Sequence, residues 1–400
     1  MKSVKKAAYK LFAFNYRLGC VFTKAGKYNI FLVETNDASE TGNIGAVRNY
    51  LMKTGDYNFT CFSANFREKV EKGEPKALMG MFFALPFKMA KCSVIFMDNG
   101  FLPLAYCKVR KGTKVVQLWH GTGSLKRFGQ DVNRGDLAEA EKAIGANIDM
   151  VTVNAKCQIN QYASAFGVDR SKVVVTGLPR TDALISMAKL PKDKLCKKIS
   201  ELKSRIGESC GFDLSGKSLI LYAPTFRDSE VDAPKLHLDV NKIIELLPEN
   251  VIILVRLHPF VYRAYKESGI FNDRIINVSD YGSLNDLLAA SDMLITDYSS
   301  VFFDYSVFDR PTYFFADDLA EFSERGRGFY MDYSEVPGEI FSDEGKLASS
   351  INRDLIGHEP QELKTKRQQF VKKYYHYLDG KSAERVVQAT EGVVNAKQRI

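Results

Sequence analysis

The sequence predicts an α/β protein made of two doubly wound domains, each built on a parallel sheet. The first observation is a series of short apolar runs that alternate with helical stretches from residue 28 onwards. The second is that this series occurs twice, with a similar number of runs in each half. The third is the length, because 400 residues are too many for one compact core.

The predicted strands of the first half are apolar runs of five to seven residues, and helical segments lie between them, for example at 44 to 54 and 135 to 145. In order, the strands are YNIFLVE (28 to 34), CSVIFMD (92 to 98), KVVQLW (114 to 119), MVTVN (150 to 154) and KVVVTG (172 to 177).

A second set of strands follows a lysine-rich helical stretch at 189 to 205, and residues 360 to 395 are predicted to form terminal helices. These strands are SLILYAP (218 to 224), VIILVRLHP (251 to 259), IINVS (275 to 279), MLITD (293 to 297) and TYFFA (312 to 316).

We therefore divide the chain into four parts. Residues 1–27 form a basic amphipathic segment, 28–182 and 183–358 form the two sheet domains, and 359–400 form C-terminal helices. Open α/β sheets bind ligands in a crevice at the carboxyl ends of their strands. The two domains are therefore expected to face each other across a cleft lined by loops that follow strands.

Composition excludes several classes of protein. The seven cysteines have no CxxC spacing, and there are only five histidines, so neither a zinc site nor a disulfide scaffold is expected. The apolar window ALMGMFFALPF is too short to span a bilayer and contains a proline. We expect no metal and no other cofactor.

The first 33 residues carry an unbalanced charge. They contain seven Lys or Arg residues and no acidic residue, and aromatic side chains are interspersed with the cations. This pattern favours a helix that lies on an anionic lipid surface. The alternative is an N-terminal helix that packs on its own domain.

The motif VVQLWHGTGSLKRFG, 115 to 129, contains the first candidate site. His120 follows a predicted strand and has an imidazole suited to proton transfer near neutral pH. Gly121 and Gly123 let backbone N–H groups approach a ligand, and Lys126 and Arg127 supply positive charge. The alternative is an ordinary strand-to-helix turn.

A second cluster is MLITDYSSVFFDY, 293 to 305, in which a buried strand ends at Asp297 and a helix is predicted to begin at 298 to 300. Ser299 and Ser300 offer hydroxyls beside the free N–H groups of a helix start, which suits a phosphate. Asp304 lies one turn further and either contacts ligand or orients the loop. Simple helix capping is the alternative.

In LVRLHP, Arg256 and His258 are predicted to leave the strand on the same side, and Pro259 to end it. A guanidinium beside an imidazole suits a diphosphate, whereas a structural arginine paired with a carboxylate is the alternative. Two further motifs follow strands: ILYAPTFRD, with Thr225, Arg227 and Asp228, and VTGLPRTD, with Arg180 and Asp182.

This inventory has three guanidinium groups and two histidines but no paired catalytic carboxylates, so it favours stabilising a phosphate over glycoside or peptide hydrolysis. The loops also lack GxSxG, HExxH and GxxxxGK[ST].

The chain contains five motifs in this order: WHGTGSLKRFG, GLPRTD, LYAPTFRD, RLHP and ITDYSSVFFDYSVFDRP; YMDYSEVPGEIF is a sixth. Together they resemble the CDP-glycerol glycerophosphotransferases of bacterial teichoic acid and capsule synthesis. The resemblance implies a GT-B type fold with two Rossmann-like domains. It also implies attack by an acceptor hydroxyl on the β-phosphorus of CDP-glycerol, with release of CMP, by a cytoplasmic enzyme peripheral to the inner membrane face.

The resemblance also implies roles for the motif residues. His120 is the base on the acceptor hydroxyl, and His258 is the second catalytic histidine. The donor side comprises Arg180, Thr225, Arg227, Arg256, Asp297, Ser299, Ser300 and Asp304. The acceptor side comprises Asn99, Gly121, Thr122, Gly123, Lys126 and Arg127. The implied partners are CDP-glycerol, an acceptor on a polyprenyl diphosphate lipid, and an anionic membrane surface; no nucleic acid is expected.

Three questions stay open at the level of sequence. Many family members have HGTP where this chain has Gly123, so the acceptor side can differ, and the short N-terminal region favours priming or short-chain addition. A CDP-ribitol ribitolphosphotransferase is the alternative enzyme, because the motifs would hold the CDP half of either donor. A non-catalytic basic protein that binds membrane or nucleic acid is the alternative class.

Overall fold

The computed structural model describes residues 3–35, 39–227, 230, 233–265 and 269–398. Contacts along the chain divide it into two compact units. Unit 1 comprises Met1–His120, Arg127–Asp182 and Tyr375–Ile400, and unit 2 comprises Gly121–Lys126 and Ala183–Tyr374. The short segment Gly121–Lys126 therefore packs with unit 2, although it directly follows His120 in the chain. The predicted boundaries at 27, 182 and 358 remain predictions.

Unit 1 contains a six-stranded sheet in the order β2-β1-β3-β4-β5-β6, with every neighbouring pair parallel. Its strands are β1 Gly26–Glu34, β2 Asn58–Ser63, β3 Cys92–Met97, β4 Lys114–Gln117, β5 Met150–Val153 and β6 Val173–Val175. Its helices are α1 Ser3–Phe22, α2 Asn43–Thr54, α3 Ala64–Glu71, α4 Pro75–Met79, a π-helical turn Gly80–Ala84, α5 Leu85–Ala90, α6 Gly135–Asn147, α7 Ile159–Phe166 and, from the far end of the chain, α17 Ser382–Gln398.

Unit 2 repeats this plan with the order β12-β11-β10-β7-β8-β9, again parallel throughout. Its strands are β7 Ser218–Tyr222, β8 Val251–Val255, β9 Ile275–Asn277, β10 Met293–Thr296, β11 Thr312–Phe315 and β12 Glu339–Phe341. The helices here are α8 Asp182–Ala188, which begins at the last residue of unit 1, α9 Lys192–Cys210, α10 Val240–Glu245, α11 Pro259–Tyr265, α12 Leu284–Ala290, α13 Val301–Tyr305, α14 Leu319–Arg325, α15 Glu344–Leu355 and α16 Gln361–Tyr374.

Helices that cover both faces of a sheet explain the continuous apolar runs of the central strands. In unit 1, Ile30 and Leu32 of β1 pack with Ile44 and Val47 of α2 in one buried cluster. In unit 2, the strands β7, β8 and β10 pack in the same way against α10 and α15. The predicted fold class, two doubly wound α/β domains, is confirmed.

The predicted strands are all present, but two edge strands were missed. Strand β2 buries only Phe62, and the three residues of β12 are partly or fully exposed. An edge strand has a neighbour on one side only, so it needs no continuous apolar run, and the sequence carries little signal for it.

The predicted end of the strand in VIILVRLHP is wrong, and several other strands end about two residues earlier than predicted. Strand β8 ends at Val255, so Arg256 and His258 lie in the loop beyond it rather than on one face of the strand. Pro259 begins helix α11, because proline at a first helical position gives up no hydrogen bond.

The N-terminal helix α1 packs on unit 1 through one face. Phe12 and Tyr16 are fully buried, and the Tyr16 hydroxyl accepts a hydrogen bond from the Arg110 backbone N at 3.1 Å. The opposite face exposes Leu11 and Phe14, with 39% and 58% of their surface accessible. Within the described part of the chain, we find no helix that combines the length and the apolar character needed to cross a membrane.

The GLPRTD motif joins α17 to the rest of unit 1. Gly177 has φ +74, and a Cβ at this position would lie 2.3 Å from the Ser382 hydroxyl. The Asp182 carboxylate accepts hydrogen bonds from the backbone N of Ser382 at 2.8 Å and of Ala383 at 2.9 Å, at the start of α17. Burial nevertheless raises the pKa of Asp182, since it outweighs these hydrogen bonds.

We predict that Asp182→Ala lowers the free energy of unfolding by about 1–2 kcal/mol, because it leaves two N–H groups at the start of α17 without their acceptor. Urea denaturation followed by circular dichroism measures this change. The control is Asp193→Ala in the exposed first turn of α9, where we expect less than about 0.5 kcal/mol. Equal effects of the two substitutions would contradict the capping role.

Candidate functional site

Thr225 and Asp297 lie where the strand order of unit 2 reverses, between β7 and β10. In doubly wound sheets, this switch point is where the loops after adjacent strands separate and leave room for a ligand. The Thr225 backbone N donates to Asp297 Oδ1 at 2.7 Å, which joins the two loops. The Tyr333 hydroxyl donates to the Asp297 backbone O at 3.0 Å. These two hydrogen bonds hold the loops after β7 and β10 together and define a candidate site within unit 2.

Arg227 lies beside these loops, between the carboxylates of Asp297 and Asp318. Its Nη1 donates to Asp297 Oδ2 at 2.5 Å, while Nε and Nη2 donate to the two oxygens of Asp318 at 3.0 and 3.2 Å. The guanidinium lies 4.8 Å from the Tyr298 ring centre, and only 3% of Arg227 is exposed. These contacts are all to the protein, and the predicted donor-binding role of Arg227 stays a prediction.

The electrostatics of this cluster favour the charged forms of Arg227 and Asp318. Burial opposes the charge on Asp318, but hydrogen bonds from Arg227 and Tyr298 hold the pKa of the carboxyl below its usual value. Burial and the hydrogen bond to Asp318 raise the pKa of Tyr298 far above the ordinary value for a phenol. Arg227 stays charged, because its two carboxylate partners outweigh the cost of burial.

The segment Gly121–Lys126 contributes a cation to the same loops of unit 2. The Thr122 hydroxyl donates to Asp304 Oδ1, and a Cβ on Gly123 would lie 2.1 Å from the Phe303 ring. Lys126 Nζ lies 3.4 Å from the Thr225 hydroxyl. The absence of a side chain at Gly123 thus leaves room for the Phe303 ring, and Asp304 binds the segment through Thr122.

The structure places Arg256, His258, Ser299 and Ser300 in other loops of unit 2. Arg256 Nη1 donates to the Tyr281 backbone O at 2.7 Å, and the exposed His258 ring stacks on Phe226 at 5.1 Å between ring centres. Ser299 and Ser300 are partly exposed before α13, which has only five residues. So short a helix has a small dipole, so any phosphate binding there would depend on the hydroxyls and nearby cations.

His120 lies in unit 1 at the end of β4. Its Nδ1 is 3.2 Å from the backbone O of Asp98, which follows the adjacent strand β3. A carbonyl oxygen only accepts, so Nδ1 carries the proton and the neutral ring has its lone pair on Nε2. Asp98 is itself fixed, because its carboxylate accepts from the Thr35 backbone N at 3.0 Å. His120 is thus held in the tautomer that a base at Nε2 requires.

Arg180 and Asn99 lie beside this histidine in unit 1. Arg180 Nη1 donates to the His120 backbone O, and the Arg180 backbone N donates to Asn43 Oδ1 at 2.9 Å. The Asn99 backbone O accepts from Gln117 Nε2 at 3.5 Å. Arg180, predicted on the donor side, therefore supports the backbone of His120.

Sequence reasoning missed Asn43, Asp98 and Asp318. Asp318 follows β11, so the rule that found Asp297 could have found it. Asn43 carries no such signal, because it begins a helix far from its partners in the chain. Asp228 lies outside the described residues.

A group of metal-ligating side chains also occurs in unit 2. Ligand atoms of His237, Asp317 and Asp318 lie within 4.8 Å of one another. His237 Nδ1 is 3.0 Å from Asp317 Oδ1, and Nε2 is 3.0 Å from Glu230 Oε1. Because Asp318 also binds Arg227, the cluster joins the loops after β7 and β11, and the reaction proposed below does not depend on it.

We predict that Arg227→Met lowers the free energy of unfolding by about 3–5 kcal/mol, because Asp297 and Asp318 then lose the cation between them. Urea denaturation measures the change. The matched control is Arg205→Met, whose partner is Asp286 and whose side chain is 56% exposed, where about 0–1 kcal/mol is expected. A loss below about 1 kcal/mol for Arg227→Met would mean that the ion pairs of Arg227 with Asp297 and Asp318 contribute little to the free energy of unfolding.

Comparisons with known proteins identify the family to which the chain is similar. The profile of the CDP-glycerol:poly(glycerophosphate) glycerophosphotransferase family matches residues 23–392. The chain is 34% identical over 325 residues to a teichoic acid ribitol-phosphate primase of Bacillus spizizenii, covering 78% of each. It is 31% identical over 316 residues to a teichoic acid glycerol-phosphate primase of Bacillus subtilis, covering 77% of this chain and 76% of the relative.

The chain spans only 52% to 57% of three ribitol-phosphate polymerases that it also matches. Among solved structures, the wall teichoic acid polymerase TagF superposes with a TM-score of 0.77 at 22% identity, covering 98% of this chain and 96% of the TagF chain. That likeness shows a common fold, of the GT-B type expected from the motifs. The resemblance predicted from six short motifs is confirmed over nearly the whole chain, which belongs to the CDP-glycerol:poly(glycerophosphate) glycerophosphotransferase family.

Proposed function

We propose that the chain transfers glycerol phosphate from CDP-glycerol to a hydroxyl of a lipid-linked teichoic acid acceptor, releases CMP, and acts in priming or short-chain addition. The family match over residues 23–392 is the observation that carries this proposal. Relatives of similar length named as glycerol-phosphate primases support the priming step. A variant of TagF soaked with CDPG, whose fold this chain shares, supports the donor.

His120 is the proposed general base. With its Nδ1 proton directed at the Asp98 carbonyl, Nε2 can take the proton of the acceptor hydroxyl as its oxygen attacks the β-phosphorus. The bond from that phosphorus to the oxygen of CMP breaks, and CMP leaves with the electron pair. The imidazolium that forms carries a proton on each ring nitrogen, and its Nδ1–H still donates a hydrogen bond to the Asp98 carbonyl.

Unit 2 is the proposed donor unit. Negative charge on the phosphoryl oxygens increases in the transition state of such a displacement, and fixed cations and hydroxyls stabilise it. Lys126 beside Thr225 supplies a cation and a hydroxyl at the switch point, and Arg256, Ser299 and Ser300 are the other proposed donor contacts. His258, exposed and stacked on Phe226, is proposed as the second catalytic histidine. Arg227 and Asp297 act by holding these loops.

We predict that His120→Ala lowers turnover by on the order of 10²-fold or more while donor binding is retained, because the base is lost but unit 2 is unchanged. The measurement is CMP release from CDP-glycerol with a lipid-linked acceptor analogue, with donor affinity from calorimetry. His358→Ala, an exposed histidine without a proposed chemical role, is the control. Full turnover by the His120 variant would refute the base assignment, whereas no CMP release by the unsubstituted protein would favour a non-catalytic binding protein.

A second candidate donor is CDP-ribitol. It is favoured by the 34% identity to a ribitol-phosphate primase, and the proposed donor contacts hold phosphates rather than the polyol. Incubation with each donor, followed by the product mass, separates the two reactions. A ribitol phosphate adduct without a glycerol phosphate adduct would transfer the same mechanism to the other substrate.

We further propose that α1 places the enzyme on the cytoplasmic face of an anionic membrane. Its exposed face carries Val4, Leu11 and Phe14, and the cations Lys10 and Arg17 flank it. Phe83, 50% exposed, lies on the π-helical turn whose Phe82 carbonyl accepts from Asn15 of α1 at 2.7 Å. Apolar side chains rimmed by cations favour the headgroup region of anionic lipid.

We predict that the double substitution Leu11→Ser and Phe14→Ser weakens binding to vesicles containing phosphatidylglycerol at least about tenfold, because two exposed apolar side chains no longer enter the lipid. Vesicle co-sedimentation at two salt concentrations measures this, and activity on a soluble acceptor should be retained. Leu137→Ser, a 43% exposed leucine on α6, is the control. Unchanged sedimentation would exclude α1 as the membrane contact.

A further inference from the structure

The backbone before His120 adopts a conformation that its own side chain disfavours. Trp119 has φ +59, in the left-handed region, and among the described residues only Asp309 shares a positive φ without being glycine. A bulky aromatic residue is rare there because its Cβ approaches the backbone carbonyl. The turn that directs His120 towards Asp98 must therefore be stabilised by surrounding contacts.

Several contacts stabilise the turn, and the hydrogen bond to its backbone carbonyl comes from a residue outside the sequence motif. The Trp119 backbone N donates to Gln117 Oε1 at 2.9 Å, and its ring stacks on Phe128 with 4.7 Å between ring centres. The Trp119 backbone O accepts from Asn43 Nδ2 at 2.8 Å. Asn43 thus reaches the turn from the first residue of α2.

The amide of Asn43 joins the two backbone segments that define the position of His120. Nδ2 binds the Trp119 carbonyl, while Oδ1 accepts from the backbone N of Arg180, whose guanidinium binds the His120 carbonyl. Asn43 is 2% exposed, so water cannot replace it easily. The amide offers a donor to one segment and an acceptor to the other.

We propose that Asn43 is the positioning residue for His120. It holds the left-handed turn at Trp119 and the Arg180 segment in one geometry, and the imidazole thereby keeps its Nδ1 proton on the Asp98 carbonyl and its lone pair on Nε2. This inference rests on the proposed role of His120. It assigns Asn43 no contact with either substrate.

The test is a double-mutant cycle on CMP release. Asn43→Ala should lower kcat by about 10²-fold with little change in donor affinity, because a small misplacement of the base slows proton transfer without touching unit 2. In the His120→Ala background, the same substitution should cause less than about a twofold further loss, because no base remains to be positioned. Asn49→Ala, also on α2 and bonded to the Glu40 carbonyl, is the matched control and should retain full turnover.

Asn43→Asp is the second variant, because it keeps the side-chain volume and the acceptor for Arg180 but turns an acceptor towards the Trp119 carbonyl. It should show the same kcat loss and the same lack of effect in the His120→Ala background, and it decides the question if the alanine variant does not fold. A loss that persists undiminished without His120, or full turnover in a folded variant, would overturn the positioning role. Full activity of His120→Ala alone would instead overturn the base assignment.

Discussion

The hydrogen bond between His120 Nδ1 and the Asp98 carbonyl determines which ring nitrogen of the proposed base carries the proton. A neutral imidazole has one donor and one acceptor, so fixing the donor fixes the base. The bond exists because β3 and β4 are adjacent parallel strands that end at the same edge of the sheet. Asp98 continues from β3, and a left-handed turn at Trp119 brings the histidine of the next strand back over it.

Unit 2 uses the same edge of its sheet differently. Its buried charged residues bind other protein groups. Arg227 pairs with Asp297 and Asp318, and Asp304 accepts a hydrogen bond from the hydroxyl of Thr122. These buried pairs fix the loops after β7, β10 and β11. We propose that Lys126, Arg256 and the partly exposed serines before α13 are the groups at this edge that contact a donor phosphate. A rigid support beneath a few accessible polar groups is the arrangement that a phosphoryl transfer requires.

Much of this could be predicted from the sequence, because continuous apolar runs followed by polar motifs mark the carboxyl ends of buried parallel strands. His120, Thr225 and Asp297 are predicted in this way, and each lies within three residues of the end of a strand. Where a side chain points after the strand ends could not be predicted. Arg227 turns inward to two carboxylates, and Gly123 accommodates a ring 180 residues away in the chain.

The supporting residues were the hardest to predict. Asn43 meets Trp119 across a separation of 76 residues, and the positive φ at that tryptophan contradicts its own conformational preference. Such a conflict between local preference and final structure is expected where a site is held by long-range contacts.

The most direct test of the central claim is the tautomer of His120 in the folded enzyme. Nitrogen-15 NMR of histidine-labelled protein, with the signal assigned by comparison with His120→Asn, distinguishes a protonated ring nitrogen from one with a lone pair. The account predicts that, in the neutral ring, Nδ1 is protonated and Nε2 is not. A neutral ring protonated at Nε2 would contradict it.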